Sequence, residues 1–135
     1  MPFNANHKAQ TLTSAKKRFL SHWRLTSPKH FQQVFRVSCG KANNGGVTVL
    51  AAANGLNHAR LGLAIAKKKL SAAPARNRLK RIIRESFRSH HEQLVGLDVV
   101  VLNTASASMK TNAELFSALL AHWNAVAEQC KTSSS

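Results

Sequence analysis

Between Ala75 and Arg88 the chain reads Ala-Arg-Asn-Arg-Leu-Lys-Arg-Ile-Ile-Arg-Glu-Ser-Phe-Arg, and six of these 14 residues are basic. Arg76, Lys80, Arg84 and Arg88 recur every four positions, which on a helix aligns them along one side. Leu79, Ile82, Ile83 and Phe87 fall on another side as an apolar stripe. A face made only for solubility interleaves Glu with Lys to gain i, i+4 pairs, whereas this one carries a single acid, Glu85. Arg78 and Arg81 add to the arginine excess. A guanidinium fork grips phosphate through two hydrogen bonds where an ammonium offers a point charge. The pattern points to polyanion binding, and Lys67, Lys68 and Lys69 extend the basic ground upstream.

The charge of the whole chain agrees. Its 135 residues carry 20 Lys and Arg against 5 Asp and Glu, and all five acids (Glu85, Glu92, Asp98, Glu114, Glu128) follow residue 84. Residues 1–84 hold 17 basic side chains and no acid. Such self-repulsion in a chain of one-domain length is relieved by a polyanionic partner, nucleic acid rather than membrane. No segment approaches the roughly 20 continuous apolar residues of a membrane span. The first 14 residues lack the apolar core of a signal peptide, so the expected compartment is the cytoplasm. Cys39 and Cys130 have no metal-ligand spacing and are expected there as two unrelated reduced thiols. Hydrolytic chemistry finds little support: the carboxylates are not closely paired, and the adjacent His90-His91-Glu92 cannot face one another on a helix.

The elements that must position these residues follow from spacing. Residues 1–23 read as a basic flexible tail, 24–129 as one binding domain and 130–135 as a frayed end. Ser27-Pro28 signals a helix start, with the serine as a side-chain cap, and Phe31, Val34 and Phe35 form one face of a short helix. Gly40, Asn43, Asn44, Gly45 and Gly46 read as a break. Strands are expected over Val47–Ala53, Arg60–Ala66 and Asp98–Leu102, the last buried on both faces. The main helix is expected from a Ser71 cap to about Gln93, ended by Gly96. A last helix starts near Asn112 with Leu115, Leu119, Trp123 and Val126 on one side. The single long helix between Ala66 and Asp98 predicts a parallel strand pair joined by a crossover. Trp23 and Trp123 read as packing residues.

Four blocks in this order carry a resemblance. Arg76-Asn77-Arg78 followed by Leu79-Lys80-Arg81 is similar to the signature of the bacterial ribonuclease P protein component. Gly62-Leu63-Ala64-Ile65-Ala66-Lys67-Lys68 resembles that family's strand leading into the signature helix. Arg24-Leu25-Thr26 with Phe31 and Val34-Phe35 resembles its first helix, and Asp98-Val99-Val100-Val101 its last strand. The likeness spans roughly residues 24 to 127.

The resemblance implies an α+β fold of helix, three strands, helix, strand, helix, akin to a ribosomal-protein-type domain, with helices packed on a mixed four-stranded sheet. The crossover before the last strand would be left-handed, against the right-handed rule that holds in about 98% of cases. The family pattern also needs two strands before Arg60, where the residues by themselves indicate one. The implied activity is removal of the 5′ leader from precursor tRNA by an RNA enzyme. Its catalytic RNA holds the Mg²⁺ ions, so the protein alone is inactive and has no tightly bound cofactor. Lys67, Lys68, Lys69, Arg76, Asn77, Arg78, Lys80, Arg81, Arg84 and Arg88 would contact the catalytic RNA. For Asn77 a capping role inside the protein is the alternative. Phe31 and Phe35 would line a cleft for the leader, with Arg36, Thr48, Leu50 and Arg60 at its rim. Leu50 stands where some relatives carry an aromatic, and Asn103 where a basic residue often follows the last strand. Partners are then the catalytic RNA and precursor tRNA, with no DNA and no membrane. The competing reading is a structural RNA-binding protein of ribosomal type. A helix-turn-helix DNA binder is disfavoured because a strand occupies the place of its first helix.

Overall fold

The structure, a computed structural model, describes residues 21–134; most of the expected tail, residues 1–20, lies outside them. A 3₁₀ turn at Ser21–Trp23 precedes α1 (Pro28–Val37), β1 (Gly40–Asn44), β2 (Val47–Ala53), β3 (Arg60–Ala64), α2 (Ala73–His90), β4 (Leu97–Asn103) and α3 (Asn112–Ser134). This is the expected order of one helix, three strands, helix, strand and helix. The four strands form one sheet in the order β1-β2-β4-β3, antiparallel except for the β3–β4 pair. The helix between those two parallel strands is α2, as the spacing predicts.

Alternation along the strands sorts side chains onto two faces. On one face Val47, Val49 and Ala51 of β2, Leu61 of β3, and Val99 and Val101 of β4 meet the apolar stripes of both long helices. Those stripes are Leu79, Ile82, Ile83 and Phe87 of α2 and Leu115, Leu119, Trp123 and Val126 of α3, all buried. The Trp123 indole N–H donates to the Ser86 hydroxyl at 2.8 Å, so the largest core side chain also joins the two helices. Trp23 is buried in the same core, as expected of a packing residue, although it stands in the segment expected as tail. On the opposite face a smaller cluster of Leu25, Val34, Ala52 and Val100 seats α1.

Several expectations are corrected. The glycine- and asparagine-rich stretch is not a break: residues 40–44 form β1, and Gly45 and Gly46, at φ +64° and +94°, make the two-residue hairpin turn into β2. β1 lacks β-branched residues, and α3 holds it from outside. The Gln129 amide accepts from Lys41 N–H at 2.8 Å and donates to Lys41 C=O at 3.1 Å. A Cβ on Gly40 would stand 3.1 Å from the Val126 backbone, so strand and helix meet at glycine distance. β3 ends at Ala64 rather than Ala66, and α2 is capped by Ala72 rather than Ser71 and ends at His90 rather than near Gln93. Ser27 precedes α1 as expected, but its backbone carbonyl, not its side chain, accepts the His30 and Phe31 amides. α3 runs on to Ser134, through the expected frayed end. Cys39 and Cys130, expected as unrelated thiols, are joined in a disulfide with their Cα atoms 4.9 Å apart. Strand pairing and helix docking bring together residues 91 positions apart, which compartment reasoning could not see.

Candidate nucleic-acid interface

The sheet face under α1 is only half covered. Register places Arg60, Asp98 and Ala52 in one row across β3, β4 and β2, then Gly62, Val100 and Leu50, then Ala64, Leu102 and Thr48. α1 sits over the first two rows through Val34 and Phe31. Phe31 lies directly on Gly62, where an added Cβ would approach its Cζ to 2.6 Å. The third row, Thr48, Leu102 and Ala64, remains half-exposed, with Leu50 beside it. It forms an apolar shelf. Phe35, one turn along α1 from Phe31, leaves 49% of its surface exposed, while Phe31 is partly buried. Arg36 is exposed and donates to the Gln33 side chain at 3.1 Å.

Arg60, expected at the rim, is engaged within the sheet. Its guanidinium grips the buried Asp98 carboxylate with two bonds of 2.8 Å, and Asn54 Nδ2 donates to the same carboxylate at 2.9 Å. The network satisfies a charge inside the strand that would otherwise be stranded in the sheet.

Beyond the open row the chain continues through Ala66 into exposed Lys67, Lys68 and Lys69. Asn103 at the end of β4 fixes this exit, because its Oδ1 accepts the Ala66 N–H at 2.7 Å. The Asn103 Nδ2 is buried without a partner among the described residues. An orphaned donor of this kind costs about 1–3 kcal/mol, and the bond that Oδ1 accepts from the Ala66 N–H is what holds the side chain in place.

The arginines of α2 are not equivalent. Arg76 donates to the carbonyls of Leu70 and Ser71 at 2.9 and 2.7 Å, closing the turn that feeds the helix. Arg78 donates to Asn112 Oδ1 at 2.8 Å and Lys110 C=O at 2.7 Å, tying α2 to the start of α3. Each keeps further N–H groups for an external anion. Arg81 is exposed, and Lys80 and Arg88 are half-exposed. Asn77 is exposed and its side chain bonds nothing among the described residues, so the local capping alternative has no geometry behind it. Burial, and secondarily the charge of Arg24, lower the Arg84 pKa from the ordinary guanidinium value.

α1 and α2 come together at the β3 edge, where Phe31 and Arg84 line one cavity of about 150 Å³ together with Arg24 and Thr26. Sequence reasoning gave Arg24 and Thr26 no site role. The signal for the first was its place beside Leu25, whose N–H donates to Leu61 C=O at 2.8 Å and lays the segment along β3. His90 and His91, adjacent in sequence, diverge: His90 Nδ1 lies 2.9 Å from Ser86 C=O, and the His91 ring lies 4.4 Å from that of Trp23. Burial lowers the His91 pKa, Glu92 opposing and His22 assisting.

A cationic helix and a partly exposed apolar row on a mixed four-stranded sheet define the class: a small, strongly basic α+β protein. The family model described as Ribonuclease P matches residues 19–127. A Ribonuclease P protein component from Vibrio cholerae is 47% identical over 100 residues, covering 74% of this chain and 84% of the relative. One from Photobacterium profundum is 44% identical over 109 residues, covering 81% and 92%. Among solved structures, the Staphylococcus aureus RNase P protein aligns with TM-score 0.68 at 28% identity, covering 76% of this chain and 93% of that one. The Thermotoga maritima RNase P protein aligns with TM-score 0.66 at 30% identity, covering 73% and 94%. The chain belongs to the ribonuclease P protein component family.

Proposed function

We propose that this chain is the RNA-binding subunit of a ribonuclease P, contacting the catalytic RNA through α2 and Lys67–Lys69 and the single-stranded 5′ leader of precursor tRNA through the shelf. The carrying observation is the partly exposed row Thr48–Leu102–Ala64, whose β3 end leads into the lysine turn. A leader strand needs an apolar or aromatic surface for its bases and cations for its phosphates, and both are contiguous here. Stacking on an aromatic tolerates any base, which suits leaders of varied sequence. The cut is made by the RNA subunit with its own Mg²⁺. Two of the protein's five carboxylates already have partners within the chain, Asp98 in Arg60 and Glu114 in the Thr111 amide. The compartment in this reading is the cytoplasm, where precursor tRNA is matured.

The test is cleavage of 5′-labelled precursor tRNA by a bacterial catalytic RNA at low Mg²⁺, with and without the protein, including a protein-alone lane. Correct 5′ cleavage restored only by the two together supports the subunit reading. Tight binding of both RNAs with no change in cleavage sinks it and favours a structural, ribosomal-type role.

A further inference from the structure

The Cys39–Cys130 bond lies at the β1 edge of the sheet, the edge opposite β3 and the arginine ridge. Cys39 follows the last residue of α1 by two positions, and Cys130 is in the last turns of α3. A disulfide in a reducing cytoplasm, the compartment proposed above, is usually transient, acting in catalysis or redox sensing. Three features of the site fit such a role.

Access comes first. Both cysteines line an open groove of about 520 Å³ whose other walls include Gln93, Val95, Leu97 and Ala127. Cys39 is half-buried and Cys130 is 6% exposed, so Cys39 is the more exposed residue of the pair. Second, both partners are held by bonds that survive reduction. Cys39 N–H donates to Ala51 C=O at 2.8 Å, Gly40 packs on Val126, and the Gln129 amide pairs twice with Lys41. Two thiols so held stay opposed, and re-closure is intramolecular. Third, the pair avoids the cationic ridge, so its chemistry proceeds without RNA contacts being broken.

We infer that Cys39–Cys130 is a thiol–disulfide exchange site, addressed through this groove by a low-molecular-weight thiol or a dithiol reductant entering at Cys39. A reductant thiolate attacks Cys39 Sγ, the Sγ–Sγ bond breaks, and Cys130 leaves as a thiolate that takes up a proton. A second reductant thiolate attacks the mixed disulfide at the reductant's sulfur and releases Cys39, which is protonated in turn. The protein gains two electrons and two protons while the reductant becomes a disulfide. Oxidised reductant reverses each step.

The test equilibrates the full chain with glutathione buffers from reduced to oxidised and counts thiols by alkylation and mass, with circular dichroism confirming the fold. The expected result is one reversible two-electron transition of the folded chain with the same midpoint from either direction. With oxidised glutathione, Cys130→Ser should acquire the mixed disulfide at Cys39 about tenfold faster than Cys39→Ser acquires it at Cys130. Two results overturn the inference. One is a bond that yields to reductant only after the chain is denatured, which makes it a static brace. The other is a folded chain whose two cysteines stay free thiols, or carry separate glutathione adducts, in oxidised glutathione.

Discussion

At the scale of single residues, the two phenylalanines of α1 have different work. Phe31 is wedged on Gly62 and packed with the Leu25–Val34–Ala52–Val100 cluster, so its ring is part of what seats the helix. Phe35 is half in solvent. Phe35→Ala should therefore leave stability within about 0.5 kcal/mol, as exposed substitutions do. The same change should weaken binding of a precursor with a leader by about 1–3 kcal/mol while sparing mature tRNA. Phe31→Ala should lower both stability and leader affinity, since α1 loses its contact with β3. Urea denaturation beside affinity measurements on the two RNAs separates the cases. A Phe35→Ala protein that still prefers the precursor at the original ratio would remove the leader from this shelf. The spacing of the pair was legible in the sequence; the division between them was not, because it depends on the missing side chain at Gly62, a strand away.

At the scale of elements, α2 leaves some arginines to solvent and holds the protein together with others. Arg78 bonds Asn112 and Lys110, so Arg78→Ala should destabilise the fold by about 1–2 kcal/mol through lost charge-assisted bonds at the α3 start. Arg81 is exposed, and Arg81→Ala should reduce RNA affinity with the denaturation midpoint unchanged. Equal stability of the two variants would mean that the α2–α3 tie carries nothing. The four-residue period of α2 announced the helix and its basic side directly, because period and charge are local. β1 was invisible for the opposite reason: Gly-Lys-Ala-Asn-Asn has poor strand propensity, and what keeps it extended is pairing to β2 and the amide of Gln129, 88 residues from Lys41. The disulfide and the Arg60–Asp98 pair escaped likewise, each fixed by register or docking between distant segments.

At the scale of the whole molecule, the decisive quantity is a formal charge of +15 on 135 residues, with every acid beyond residue 84. Two consequences of salt then run in opposite directions. Folding gathers like charges that the unfolded chain keeps further apart, so screening should stabilise the free protein. Binding to RNA releases condensed counterions, so the same salt should weaken the complex, with a log–log slope of roughly −0.7 to −0.9 per phosphate contact. Between about 50 and 500 mM KCl the Debye length shrinks several-fold, and the melting temperature of the free protein should rise while RNA affinity falls by orders of magnitude. Arg81→Ala should flatten the affinity slope by about one contact and leave the melting trend almost as it was. Were the affinity slope near zero, or unchanged by removing Arg81, the basic ridge would not be gripping phosphate, and its arginines would have to be explained by their bonds within the protein alone.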